Sequence, residues 1–448
     1  MQGIIKKPKT LIFTILFAIF SIAFLPFETN MKFATVICFV ALILWGLNAV
    51  NNSVIACAFL LSCLVFNLAP SSIVFRFPMT ENFYLIILSY LISYVVTSTG
   101  TAKVFSRKIM NKMATTPVRL VLFSYVAGFL LIFFIPQPFP RVILLTAFYK
   151  EFLSKQDISN TSKSILFFSI FTASTFTSMF FINADTLLNY VVVKLAGANI
   201  NWEQWAIYMS IPTIVCCIVT FFLFLIIFKK ELFINSFSTA NIKISQPLSK
   251  QQKKALIVCF IILIGFATQS IHNLNAVFIL GIGVVISVML KLIRIDSIKS
   301  INWSLLLFFT AAFSVGGVLN HCGFAKMLAD WLITLMPESN GNLAIIFLTL
   351  ITLILNFLLG SAVTTSSVVI PTISHIGIFA TQNTLCLFVY TIVSVQYVLP
   401  FHHATIMVGY SEGLYDTKTI AKYGIFLTLF TFILILFVCI PWWNLVMR

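Results

Sequence analysis

Charged residues are scarce in this chain. Only 9% of its 448 residues are Asp, Glu, Lys or Arg, and only 12 of these are acidic. Soluble domains carry about 25% charged residues, so this chain has too few charges to cover a surface that faces water. It also lacks an H-E-x-x-H pattern, paired intramembrane aspartates and a phosphate-binding P-loop. These absences argue against a polytopic membrane enzyme, which is the alternative from another functional class.

Cysteine is present, but not in an arrangement that binds metal. The nine cysteines are scattered through apolar runs, and no C-x-x-C occurs. Buried cysteines of this kind act as small hydrophobic residues. We therefore predict neither a metal site nor a disulfide framework, and no cofactor.

Hydrophobic residues make up 60% of the chain. A transmembrane helix needs about 20 consecutive apolar residues, so the length leaves room for roughly ten or more spans and no sizeable soluble domain. The sequence predicts an all-α polytopic membrane protein, with the lipid bilayer as its surroundings.

The excess of Lys and Arg over Asp and Glu is explained most simply by membrane topology. Lys and Arg number 28, which gives a formal net charge of +16. In membrane proteins these residues collect in cytoplasmic loops, so the charge does not indicate nucleic-acid binding. A basic vestibule that attracts anions is the other interpretation. We expect a multi-pass protein of the inner (plasma) membrane, with a cytoplasmic N-terminus.

The hydropathy pattern divides the chain into four regions. We predict scaffold helices over 1–81, a first repeat over 82–228, a cytoplasmic linker over 229–255 and a second repeat over 256–448. Each repeat carries interrupted apolar segments, which are typical of secondary transporters. In those proteins the interrupted segments of two inverted repeats form the substrate site near the bilayer midplane.

The interruptions lie at four places. We predict re-entrant hairpins near 120–153 and 343–378, and broken helices over 165–195 and 385–410. With both hairpins re-entrant, the basic loops fall on the cytoplasmic side, as the positive-inside rule requires. The resulting topology has about 11 transmembrane helices and two repeats of opposite orientation.

Several stretches resemble the divalent anion/sodium symporter family of the ion transporter superfamily. The residues are I-N-W-S-L-L-L at 301–307, G-G-V-L at 316–319, G-F-A-K at 323–326 and S-A-V-T-T-S-S-V-V-I-P at 361–371. The C-terminal stretch over 397–443 is similar too. This likeness covers most of the chain, and its specific motifs lie mainly in the second half.

The resemblance implies a transporter of dicarboxylates, citrate or sulfate, built from two inverted repeats. It also implies a homodimer that moves its substrate by an elevator-like motion, with Na+ as the coupling ion of the family. The paired Ser-Asn-Thr motifs of the family read Pro136-Gln137-Pro138 and Ser361-Ala362-Val363 here. We therefore keep both Na+ and H+ as coupling ions.

Arg141 and two histidines are the strongest candidates for binding an anionic substrate. A charge at the depth of Arg141 costs at least about 2.5–3.5 kcal/mol unless it faces a cavity or a partner. A guanidinium can pair bidentately with a carboxylate or sulfate, although Arg141 could also face the cytoplasm at a hairpin tip. His402 and His403 follow Pro400, where the helix should unwind; the alternative is a packing histidine. The predicted substrate-binding residues are Gln137, Arg141, Ser361, Thr364, Thr365, His402, His403 and Thr405.

A polar patch inside the first broken helix is the candidate site for a coupling cation or proton. Asp185 is its ionisable member, and it could instead pair with Arg141 and neutralise it. A cation/proton antiporter of the same superfamily fold is the nearest alternative function, although such a protein needs an acidic pair in its core. The predicted coupling residues are Ser174, Thr177, Ser178, Asn183, Asp185 and Asn356.

Overall fold

The computed structural model describes residues 8–24, 26–47, 50–101, 115–133, 138–185, 188–233, 248–272, 274–337, 341–374, 378–379 and 381–447. Within these ranges the chain is helical and has no β-strand, which confirms the predicted all-α class. Gln137 and residues 234–247 of the predicted linker lie outside the described ranges.

Nineteen of the described helices have seven or more residues, and they are labelled here in chain order. They are α1 (Pro8–Phe24), α2 (Thr29–Gly46), α3 (Asn52–Val65), α4 (Glu81–Ser98), α5 (Pro117–Leu130), α6 (Pro138–Leu153), α7 (Asn160–Thr177), α8 (Asn189–Leu195), α9 (Trp202–Ile227), α10 (Lys250–Ala267), α11 (Ala276–Met289), α12 (Trp303–His321), α13 (Phe324–Thr334), α14 (Asn342–Leu359), α15 (Ala362–Ser374), α16 (Gln382–Val395), α17 (Ala404–Ser411), α18 (Thr417–Leu434) and α19 (Ile440–Val446). Short 3₁₀ turns include Ile182–Asp185 and Pro400–His402, and a π-helical turn, Ile435–Cys439, joins α18 to α19.

Four of the described helices are long and apolar enough to cross a membrane. They are α9, α12, α14 and the continuous run Thr417–Val446, and seven shorter apolar helices accompany them. In the most apolar stretch of α9, only 28% of the residues are buried in the protein. The side chains of Phe222 and Ile226 on this helix are more than half exposed. Apolar side chains on the outer surface fit lipid rather than water, so the chain is a polytopic membrane protein. The inverted repeats and re-entrant hairpins remain predictions.

The helices group into two compact units. Unit 1 comprises Met1–Thr80, Leu187–Pro212 and Trp303–Arg448, and unit 2 comprises Glu81–Thr186 and Thr213–Asn302. The predicted repeats, 82–228 and 256–448, are continuous stretches of sequence, whereas each unit combines separate stretches. The repeats remain a prediction.

Unit 2 contains a closely packed pair of helices, α10 and α11. A Cβ placed at Gly283 would lie 2.4 Å from Ile262 Cδ1, and one at Gly265 would lie 2.8 Å from Ile279 Cγ2. These glycines therefore allow the two helices to approach each other closely. Isoleucine, leucine and phenylalanine side chains from α4, α10 and α11 complete the apolar cluster around them.

The other part of unit 2 is held by a buried hydroxyl network across α5, α6 and α7. Ser124 Oγ lies 2.6 Å from the hydroxyl of Tyr149 and 2.9 Å from Oγ of Ser169. The Tyr149 hydroxyl donates to the Leu120 carbonyl at 2.9 Å. Buried polar groups are costly unless they are bonded, so this network fixes the packing of α5, α6 and α7 against one another.

In unit 1 a tryptophan compensates for a proline inside α9. Pro212 has no N–H, so the carbonyl of Tyr208, four residues earlier, loses its helical donor. The indole Nε1 of Trp443 donates to that carbonyl at 3.1 Å, and Trp442 Nε1 donates to the Ile207 carbonyl at 3.1 Å. This pair ties α19 to the first half of α9.

Candidate functional site

The helical run predicted over 165–195 is interrupted, and the interruption lies in unit 2. Helix α7 ends at Thr177, with Ser178 as its C-terminal cap, and a 3₁₀ turn follows at Ile182–Asp185. We call the segment from Ser178 to Asp185 break 1. The polar patch in the sequence predicted this interruption, because hydroxyl side chains compete with the backbone for hydrogen bonds.

Arg141 inserts its guanidinium into break 1. This arginine lies in the first turn of α6 and is completely buried. Its Nη2 donates to Ser178 Oγ at 2.5 Å and to the Ala184 carbonyl at 3.2 Å. Asp185, the residue after Ala184, is 8% exposed. A buried arginine is tolerated when hydrogen bonds replace its contacts with water in this way.

The other predicted coupling residues of unit 2 lie in the last turn of α7 or within break 1. Ser178 Oγ also donates to the Ser174 carbonyl at 2.6 Å, and Thr177 Oγ1 donates to the Ala173 carbonyl at 2.8 Å. Ser174 Oγ is buried, with no hydrogen-bond partner among the described residues. The backbone of Asn183 belongs to the 3₁₀ turn, but its side chain lies outside the described part of the chain.

A second interruption lies in unit 1, between α14 and α15. Gly360 ends α14 in the left-handed conformation, with φ +63°. A side chain there would also meet Phe401, because an added Cβ would lie 2.9 Å from Phe401 Cδ2. We call the segment from Leu359 to Ala362 break 2; it falls where the sequence pattern G-S-A-V-T-T predicted an interruption.

Asn356 links three segments near break 2. Its Nδ2 donates to Gln396 Oε1 at 2.5 Å and to the Gln396 carbonyl at 3.3 Å. Its Oδ1 accepts a hydrogen bond from Thr365 Oγ1 at 3.2 Å. Asn356 is a predicted coupling residue, and its side-chain hydrogen bonds in the structure are to Thr365 and Gln396.

Gln396 is a buried polar residue that the sequence analysis missed. It is 2% exposed and caps the C-terminal end of α16. An amide at the end of an apolar run, four residues before Pro400, was the available signal.

His402 is bonded to the backbone through one of its two ring nitrogens. Its Nδ1 accepts hydrogen bonds from the backbone N–H groups of Val398, at 3.1 Å, and Leu399, at 3.4 Å. Its Nε2 is buried and has no hydrogen-bond partner among the described residues. His402 therefore closes the backbone that leads into the 3₁₀ turn Pro400–His402.

His403 and Thr405 begin helix α17. His403 Nδ1 accepts from the Thr405 N–H at 3.3 Å, so the imidazole caps the helix. No hydrogen-bond partner for His403 Nε2 is found in the described part of the chain. Thr405 Oγ1 is fully buried and has no partner among the described residues. These two groups are donors available for a ligand.

Ser361 and Thr364 lie at the start of α15. Ser361 Oγ accepts from the Thr364 N–H at 3.4 Å. Thr364 also lies against α12, because a Cβ at Gly316 would come within 2.0 Å of its Oγ1. Both α15 and α17 pack on α12, so the two helix starts share one neighbour within unit 1.

The predicted site residues thus form two groups, each within its own unit. Break 1 joins Arg141, Ser178 and Asp185. The group around break 2 contains Asn356, Ser361, Thr364, Thr365, His402, His403 and Thr405. The roles assigned to all of these residues remain predictions.

Comparison with known proteins identifies the family. Residues 6–448 match the family model of the sodium:sulfate symporter transmembrane region. The chain therefore belongs to the sodium:sulfate symporter family, a family of transporters and not of enzymes. This membership agrees with the resemblance drawn from the sequence motifs.

Two curated relatives are similar to this chain over part of its length. One is an uncharacterized transporter of Haemophilus influenzae, 21% identical over 286 residues, which are 60% of this chain and 59% of the relative. The other is an uncharacterized transporter of Methanocaldococcus jannaschii, 24% identical over 165 residues, or 37% of each protein. The chain thus spans about three-fifths or less of the length of these relatives.

Proposed function

We propose that this protein is a secondary active transporter that carries a small dianion, such as a dicarboxylate, citrate or sulfate, together with Na+ or H+. Family membership supports the transport of small anions. The proposal includes a homodimer in the plasma membrane, a cytoplasmic N-terminus and elevator-type alternating access, as the family resemblance implies.

One observation carries the anion assignment: a donor set without a protein partner at the start of α17. Thr405 Oγ1 is buried and unbonded within the described residues, and His403 Nε2 is uncommitted there. The N-terminus of a helix adds free N–H groups and a positive dipole end, which attract anions. We assign His403 and Thr405 to contact with substrate oxygens.

Ser361 and Thr364, at the start of α15, are placed in the same role. Their hydroxyls lie at a second helix N-terminus of unit 1, and both helices pack on α12. Thr365 and His402 serve a different purpose in this proposal. Thr365 is bonded to Asn356, and His402 is bonded to backbone N–H groups. Both therefore hold the surrounding structure in place and do not contact the substrate.

Uptake into proteoliposomes tests the proposal. Labelled sulfate, succinate and citrate would be offered under a Na+ gradient and, separately, under a pH gradient. Concentrative uptake of at least one of these anions is expected under one of the gradients. Failure of all three under both gradients contradicts the substrate assignment, and proton-driven exchange of a cation in their place would support the antiporter alternative.

A matched pair of threonine variants tests the site. Thr405→Val keeps the shape of the side chain but removes a donor to a charged ligand, which is worth about 1.5–3 kcal/mol. We expect KM for the transported anion to rise about ten-fold or more. Thr391→Val is the control, because Thr391 is equally buried and its hydroxyl already donates to the Leu387 carbonyl of its own helix. Equal KM values in the two variants would contradict the role of Thr405.

A further inference from the structure

Break 1 presents oxygen atoms and negative charge to whatever lies inside it. Ser178 contributes a hydroxyl oxygen and Ala184 a backbone carbonyl, and the carboxylate of the next residue, Asp185, is buried in the same 3₁₀ turn. The C-terminal end of α7 adds the negative end of a helix dipole. Oxygen ligands, a carboxylate and a helix C-terminus together form a binding place for a small cation.

The cation that fills this binding position is the side chain of Arg141. The Arg141 guanidinium reaches Ser178 Oγ at 2.5 Å and the Ala184 carbonyl at 3.2 Å, and it is fully buried. It comes from α6, a separate helix, 37 residues before Ser178 and 43 before Ala184. A tethered group is present at high effective concentration, so a free cation has to compete with an occupant that cannot diffuse away.

We infer that Arg141 is a built-in cation that fills a cation-binding position in break 1, so that this break takes no Na+ from solution. The inference rests on the proposed function, because it concerns how the transporter is coupled. In this role Arg141 neutralises negative charge inside the protein and does not bind the anionic substrate. Any Na+ that drives transport then binds elsewhere in the protein.

Neutral substitutions of Arg141 should convert break 1 into a site open to cations. In Arg141→Ala the carboxylate of Asp185 stays buried without the guanidinium, and a buried carboxylate requires a counter-charge. Mildly alkaline buffer favours a metal cation over a proton as that counter-charge. We expect Na+, and guanidinium at low concentration, to stabilise the variant specifically.

Thermal unfolding of the detergent-solubilised full chain measures this effect. Tm would be compared in NaCl, guanidinium chloride and choline chloride at equal concentrations. The expected result is that Tm of Arg141→Ala rises by about 2 °C or more in NaCl or guanidinium chloride, beyond any rise in the wild type. The double variant Arg141→Ala with Asp185→Asn should lose this extra response, because no carboxylate remains to be neutralised.

Two further variants keep the test decisive. Arg141→Gln retains amide donors for Ser178 and Ala184, so it reports on the site if Arg141→Ala does not fold. Arg141→Lys keeps a cation in place and should respond as the wild type does. An unchanged Na+ and guanidinium response in both neutral variants would overturn the inference.

A loss of sulfate-induced or succinate-induced stabilisation in Arg141→Gln, without any gain for Na+ or guanidinium, would also overturn it, since Arg141 would then bind the substrate. These readouts need no transport. A failure to transport any anion would contradict the proposed function while the Tm shifts still decided the role of Arg141.

Discussion

The side-chain amide of Asn356 donates to Oε1 of Gln396 at 2.5 Å, joining the end of α14 to the end of α16. Both residues are buried, at 0% and 2% exposure. The residues that cap the two helices, Gly360 and Gln396, are uncharged, so this amide pair is a buried polar connection between the helix ends.

We predict that Asn356 and Gln396 are energetically coupled. Asn356→Ala leaves buried acceptors of Gln396 unbonded and should lower the free energy of unfolding by about 1–3 kcal/mol. Gln396→Ala should have a similar effect, and the double variant should cost less than the sum, with a coupling of about 0.5–3 kcal/mol. Denaturant unfolding in detergent measures all three. Additive losses would show that the two amides act independently.

The indole of Trp443 provides a second prediction. Trp443→Phe leaves the carbonyl of Tyr208 without a donor and should cost about 1–3 kcal/mol of stability. Adding Pro212→Ala restores the helical N–H that faces this carbonyl, so the double variant should recover most of the loss. Trp442→Phe is the control, since the Ile207 carbonyl keeps the helical N–H of Ile211 as its regular partner. No recovery in the double variant would contradict the role of Pro212.

Two glycines inside helices should respond in opposite directions to alanine. A Cβ at Gly424 would lie 2.0 Å from the Tyr397 carbonyl oxygen and 2.8 Å from Val398 Cα, both backbone atoms that cannot rotate away. Gly424→Ala should therefore cost about 1–3 kcal/mol or more through overpacking. A Cβ at Gly281 would meet no described atom within 4 Å, so Gly281→Ala should be neutral or stabilise by up to about 1 kcal/mol. Thermal unfolding of both variants compares them directly.

Alanine variants of the adjacent residues His402 and His403 should differ in their effects on thermal stability and on transport. His402→Ala removes the acceptor of two backbone N–H groups and should lower Tm, with any loss of uptake following the loss of folded protein. His403→Ala removes one cap bond and a proposed substrate contact, so it should lower uptake per folded molecule with a smaller change in Tm. Parallel measurement of Tm and uptake distinguishes the two. A transport defect confined to His402→Ala would reverse the assignment.

The positions of the helix breaks were predictable because they follow from local chemistry. Gly360 followed by a serine favours a left-handed helix end, and the structure ends α14 there with φ +63°. The hydroxyl-rich stretch before Asp185 likewise predicted the end of α7, at Thr177. Local backbone preferences act over a few residues, so a single sequence contains them.

The partners of the buried polar groups could not be predicted in the same way. Arg141 bonds Ser178 and Ala184, and Asn356 bonds Gln396 across 40 residues. Such pairs depend on which helices pack together, which an apolar pattern alone does not specify. Asp185 was one possible partner of Arg141 in the sequence, whereas nothing in the sequence pointed to Gln396 as the partner of Asn356.

The covalent attachment of the Arg141 guanidinium has a consequence for the energetics of the membrane. A charge joined to the chain returns with the protein, so it adds nothing to the net charge moved in a completed cycle. Each Na+ that is released instead carries one charge through the membrane potential, worth about 2.3 kcal/mol per 100 mV. With one coupling cation fewer, a dianion crosses with more of its negative charge uncompensated. An inside-negative potential then opposes accumulation of the dianion, whereas exchange for another dianion moves no net charge and does not respond to the potential.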